Sequence, residues 1–137
     1  MSLSPTQGSV IENQMRKLCV AIVLFSISCL FSADESPGEA KNIYGVLLQA
    51  IQDGDASVFQ ELGTEAFKKQ MTPELFHSAQ NGIGIRLRDG YVSSYLGKIS
   101  KNNREIFLWK ITTSRNSDQL LATLVLEKTK VAGFYFQ

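Results

Sequence analysis

Residues 105–137 read EIFLWKITTSRNSDQLLATLVLEKTKVAGFYFQ, three apolar runs (105–113, 119–128 and 131–137) parted by short polar connections. Ile106, Phe107, Leu108, Trp109 and Ile111 are mostly β-branched or aromatic, side chains that suit a pleated, half-buried surface, so the first run predicts a strand. The second, Leu120 through Leu126, is apolar at both parities and predicts a central strand whose two faces are both covered by other parts of the chain. Ser114, Arg115, Asn116, Ser117 and Asp118 have the length and chemistry of a hairpin loop, which makes these two strands antiparallel. Residues 127–130 turn the chain again. The last run, with Phe134, Tyr135 and Phe136, is expected to be pinned into the sheet.

Upstream, residues 91–100 predict a first strand, and Lys101, Asn102 and Asn103 the turn that follows it. Before that the spacing changes. Ala40, Ile43, Tyr44, Leu47, Leu48 and Ile51 recur at intervals of three and four, the single apolar face of an amphipathic helix that Gly54 ends. Asp55 is placed to accept the first backbone donors of a second helix, with Val58, Phe59 and Leu62 on its buried side and Gly63 as its stop. Thr72, Pro73 and Glu74 are a third start signal: a capping hydroxyl, a proline in the first helical position and an acid in the first turn. From there Leu75, Phe76, Ala79, Ile83 and Leu87 keep helical spacing. Ile83, Ile85 and Leu87 also alternate with Gly84, Arg86 and Arg88 as a strand would, so two periods compete over this window; helix to about Leu87 is the preferred reading. The expected fold class is α+β, with three N-terminal helices packed on a curved four-stranded antiparallel sheet.

The chain has 137 residues, a one-domain length, and a formal charge of +1 with Lys and Arg dispersed, so it lacks the basic stripe on which nucleic-acid binders rely. Arg16 and Lys17, the apolar run 18–31, and Ser32 and Ala33 before Asp34 and Glu35 have the order of a secretory signal peptide. That run is shorter than the roughly 20 apolar residues a membrane-spanning helix needs. The expected organisation is an upstream extension at 1–14, with translation starting at Met15; a signal peptide at 15–32; a flexible leader at 33–39; and a domain at 40–137. N-terminal sequencing of the precursor should begin at Met15, and a retained Met1 would overturn that start. Both cysteines, Cys19 and Cys29, fall in the signal segment, so the processed domain would have no disulfide. Cys29 after Ser26, Ile27 and Ser28 resembles a lipoprotein cleavage box, which leaves a lipid-anchored form as the alternative to a periplasmic or secreted one.

Particular residues carry a resemblance over 40–137. They are Gln52, Asp53, Gly54 and Asp55 with Val58 and Phe59; Met71, Thr72, Pro73 and Glu74; Tyr95, Leu96 and Gly97; Phe107, Leu108, Trp109 and Lys110; and Val131, Ala132, Gly133 and Phe134. In these the chain resembles the nuclear-transport-factor-2-like superfamily, with its ketosteroid-isomerase-like fold, and specifically its small exported bacterial members of unassigned function. The resemblance implies a cone-shaped half-barrel: helices closing one side of a strongly bent sheet around an apolar cavity, and an outer sheet face that often makes dimers. It bears on architecture more than on activity.

The chemistry-bearing residues are sparse. His77 is the single histidine, and its helical neighbours Gln80 and Asn81 are poor orienters for a general base. One histidine and no processed cysteine leave no ordinary zinc set. Asp53 and Asp55 open like a calcium loop, but Val58 stands where that loop needs glycine, so a helix end and a cap account for them better. Gly82 and Gly84 form a Gly-x-Gly without the third glycine of a phosphate cradle. By analogy with ketosteroid isomerases, Tyr44 on the first helix would be an oxyanion donor; Glu105, Asp118 and Glu127 fall at a strand start, a loop and a strand end, and none supplies the catalytic acid. No catalytic residue, cofactor or metal ligand is therefore assigned. The expected function is non-catalytic binding of a small apolar ligand or a protein partner. Tyr44, Tyr95, Trp109 and Tyr135 are the candidate cavity-lining residues, and core packing is the alternative account of all four. An isomerase- or hydrolase-like enzyme, and a homodimer through an outer sheet face exposing some of Ile106, Leu108, Leu120 or Leu124, are the other readings.

Overall fold

A computed structural model describes residues 37–137. The expected extension 1–14, the signal segment 15–32 with its two cysteines, and the first residues of the leader lie outside the described residues. The described chain is α+β: a run of helices followed by a four-stranded antiparallel sheet in the order β1-β2-β3-β4, a meander in which each strand pairs with the next.

Helix α1 (Gly38–Asp53) begins two residues before Ala40, so Gly38 and Glu39 of the expected leader are helical, with Pro37 as N-cap. Its spacing resolves into one buried side, Ala40, Tyr44, Leu47, Leu48 and Ile51. Gly54 ends it at φ 78°, ψ 24°, a left-handed conformation that costs glycine least, with its N–H donating to the Ala50 carbonyl. Helix α2 (Ser57–Leu62) follows, and the capping acid sits one residue further out than expected: Ala56 occupies the N-cap, and Asp55 accepts from the Ser57 N–H at 3.1 Å. Gly63 closes α2 in an extended conformation and bridges in parallel to Val131, which ties the helices to the last strand.

A helix that the periodicity did not predict, α3 (Glu65–Gln70), comes next. Its start carries the usual signals: the Thr64 hydroxyl accepts from the Phe67 N–H at 3.2 Å, Glu65 stands in the first turn, and Lys68 and Lys69 in the last. Phe67 is its one buried residue, so it has no apolar period to read. Helix α4 (Pro73–Ala79) starts where Thr72, Pro73 and Glu74 indicated, with the Thr72 hydroxyl accepting from the Leu75 N–H. It continues without a break through a π-helical turn (Gln80–Gly84) into α5 (Ile85–Arg88). Of the two periods that compete over 83–88, the helical one is realised.

The strands are β1 (Tyr91–Lys101), β2 (Arg104–Thr113), β3 (Gln119–Glu127) and β4 (Lys130–Phe136). Asn102 and Asn103 join β1 to β2 at φ 54° and 58°, the paired left-handed conformation of a two-residue turn that matches strand twist. On the inner face Phe107, Trp109 and Ile111 of β2 and Ala122, Leu124 and Leu126 of β3 are buried in one core with α1, Phe59, Phe67, Phe76, Val131 and Phe134.

Two expectations about β3 are corrected by this register. It is an inner strand of the sheet, but only one face is covered: among the described residues Leu121, Thr123 and Val125 are left half-exposed on the other side. Leu120 and Leu124 are not on that outer face either. They pair with the buried Ile111 and Phe107 and so share their side of the sheet, because cross-strand partners point the same way. The outer face instead presents Ile106, Leu108, Leu121 and Val125 half-exposed, with Val92, Leu96, Ile99 and Tyr135 exposed around them. Among the described residues no helix is long and apolar enough to cross a membrane.

Candidate functional site

The four aromatic candidates separate into two places. Tyr44 projects from α1 onto Trp109 of β2 with ring centroids 4.0 Å apart and planes 6° from parallel, and Tyr95, the cross-strand partner of Trp109, tilts against it at 5.5 Å. Phe107 extends the stack at 6.0 Å, and Phe134 meets Tyr44 edge-on at 6.2 Å. Tyr44 and Trp109 are 5% and 3% exposed, so this ring column is part of the core. Tyr135 lies apart, exposed on β4 beside a cavity.

Within the column the Tyr44 hydroxyl shares a 2.7 Å hydrogen bond with Ser93 Oγ on β1. Burial pushes its pKa up to about 12, against the lowering effect of the Ser93 bond and with a further small rise from Tyr91. Among the described residues no carboxylate hydrogen-bonds to it. The raised value has a consequence for stability. An acid held neutral in the fold ionises first in the unfolded chain, so the contribution is complete below pH 10 and is lost as pH climbs through about 12. Alkaline denaturation should reveal a loss on the order of 2 kcal/mol over that window. Tyr44→Phe should flatten it, and an unchanged slope in that variant would place the titration elsewhere.

The remaining candidates are dispersed. His77 is exposed on α4. Asp53 ends α1 and accepts from the Gln49 amide at 2.8 Å. Glu105 and Glu127 are tied to Lys98 at 2.6 Å and to Arg104 at 3.2 Å, both at the surface. Among the described residues no three of His, Cys, Asp and Glu converge as a metal would require.

An apolar concave feature lies between the helices and β4. It is a cavity of about 430 Å³. Its floor is built from buried Phe59, Phe67, Phe76 and Phe134, three of which come from different short helices. Phe59 meets Phe76 edge-on at 5.5 Å and lies 6.3 Å from Phe134, so the rings brace one another. Ile51, Ala79 and Ile83 form a wall, the last two on either side of the start of the π turn. Gln70, Met71, Leu75, Tyr135 and Phe136 complete the lining; Leu75 is 50% exposed at the rim, and Tyr135 borders the space from β4 while its ring lies over Gly133 on the other face of the sheet. Tyr135 is thus the one residue of the predicted aromatic set that borders this space. The phenylalanines lie on separate short elements, brought together by ring-on-ring contacts across α2, α3, α4 and β4 and by the bridge from Gly63 to Val131. A run of Phe at 59, 67 and 76 was the available signal, and each alone reads as a core anchor.

Comparison of the chain with known protein families, with characterised proteins and with solved structures finds no match to any of them.

Proposed function

We propose that residues 40–137 form a non-catalytic, exported domain of the nuclear-transport-factor-2-like kind that binds a small apolar molecule between its helices and β4. The observation that carries the reading is the cavity itself: about 430 Å³ walled by phenylalanine, isoleucine and methionine side chains. Ligand pockets run to roughly 300–1,000 Å³ and combine mostly apolar walls with a few polar groups, and this one has that character. The meander with helices on one face is consistent with the cone-shaped arrangement of that superfamily. The Tyr44 hydroxyl, bonded to a serine and not to an acid, favours binding over catalysis.

A neutral fluorescent probe, N-phenyl-1-naphthylamine, tests it. The probe should brighten on titration with the protein, and ligand-bound protein should melt at a higher temperature. Ala79→Phe, which sets a ring into the cavity, should weaken probe binding at least about tenfold, a change of about 1.4 kcal/mol. Circular dichroism should remain that of the parent. Equal probe affinity in the two proteins would overturn the reading.

A further inference from the structure

We infer that the cavity selects an uncharged lipophile with a single hydrogen-bonding head, received by the Gln70 amide, over the same hydrocarbon bearing a carboxylate or an ammonium. This rests on the binding role proposed above and adds the chemical class of the ligand.

The lining is asymmetric. Its deep end is buried phenylalanine, which offers ring faces and edges and no polar atom. At the rim, exposed Gln70 is the lining residue with an amide side chain. It ends α3, where Met71 takes φ −80°, ψ 76° and the Thr72 N–H donates back to the Gln70 carbonyl at 2.9 Å. This tight exit from the helix fixes Gln70 and Met71 side by side at the mouth. Among the described residues the Gln70 amide pairs with no other side chain, which leaves its two N–H donors and its carbonyl oxygen for a hydroxyl, an amide or a carbonyl.

Charge decides the rest. Among the described residues no carboxylate, ammonium, guanidinium or imidazole lines the cavity. The nearest cations along the chain are occupied or turned away: Lys68 holds Glu65 at 2.8 Å, and Lys69 is exposed and outside the lining. A charged head brought to the rim against Leu75 and Met71 loses part of its hydration with no counter-charge in return, whereas a hydroxyl loses less and regains a bond from Gln70. For size, a cavity of roughly 150 Å³ suffices for benzene, so this one accommodates a flexible chain of about ten carbons or a pair of fused rings, with Met71 adapting to either.

Displacement of N-phenyl-1-naphthylamine by 1-decanol, decanoate and decylammonium at pH 7.5 tests the inference. Decanol is expected to displace the probe at a concentration about tenfold lower than either ion. Gln70→Leu should weaken decanol several-fold more than it weakens the probe, whose two aromatic groups rest mainly on the phenylalanine floor. Gln70→Lys should invert the order in favour of decanoate. Equal displacement by all three compounds overturns the selectivity, and unchanged decanol affinity in Gln70→Leu overturns the role of the amide. Absence of probe binding in the parent protein is a different failure, which removes the proposed binding function itself.

Discussion

Replacing Trp109 with alanine should cost about 3–5 kcal/mol of unfolding free energy, the range for removing a large buried aromatic. Trp109 is 3% exposed and stands at the crossing of the ring column, stacked on Tyr44 at 4.0 Å and touched by Tyr95 and Phe107. Three elements, α1, β1 and β2, meet through it. Alanine would leave a void that none of these rings fills without leaving its rotamer, and it would remove aromatic pairing worth about 0.5–1.5 kcal/mol per contact beyond area burial. Domains of this size are stable by about 5–15 kcal/mol, so the loss takes a large part of the total and lowers the melting temperature by more than about 10 °C. Trp109→Phe keeps a ring on Tyr44 and should lose distinctly less. The chain has one tryptophan, so urea unfolding must be followed by far-ultraviolet circular dichroism and not by intrinsic fluorescence. A Trp109→Ala unfolding free energy within about 1 kcal/mol of the parent's would mean that the column is not what joins helix to sheet.

The same residue shows what a sequence can disclose. Trp109 alternates with Phe107 and Ile111, and on a strand such alternation puts all three on one face; the structure buries all three. Helix α1 was as legible, because six apolar positions at intervals of three and four admit one face. β3 was not. Apolar at both parities, it does not say which of Leu120 and Leu124 or Leu121 and Val125 turns inward, and the choice is made by register against β2, with Phe107 opposite Leu124 and Ile111 opposite Leu120. Helix α3 is hard to read for the opposite reason: one buried Phe67 makes no period. The cavity was the least legible feature. Its floor is assembled from residues 59, 67, 76 and 134, whose proximity depends on how four short elements stack, a property of packing that no local window contains.

Alanine at Gly82 and at Gly84 should move stability in opposite directions, although the two glycines occupy the same π-helical turn two residues apart. At Gly82 an added Cβ meets nothing within 4 Å, so Gly82→Ala gains helix propensity and restricts the unfolded chain, a stabilisation of roughly 0.5–1 kcal/mol. At Gly84 the Cβ would lie 2.7 Å from the Ile51 carbonyl oxygen and 3.2 Å from Ile51 Cγ2. Backbone cannot rotate out of the way as a side chain can, so the π turn would have to lift from α1, an overpacking cost of about 1–3 kcal/mol. Gly84 is thus a contact residue, the place where the C-terminal helical segment lies directly on the end of α1. Ile51 and Ile83 both line the cavity, so displacing the turn from α1 should also disturb the pocket. Gly84→Ala is therefore expected to lower the denaturation midpoint and weaken probe binding together, whereas Gly82→Ala raises the midpoint and leaves binding unchanged. Equal and favourable effects of the two substitutions would show that helix propensity alone governs the segment, and that the close approach of Gly84 to Ile51 does not set the spacing of helix and cavity wall.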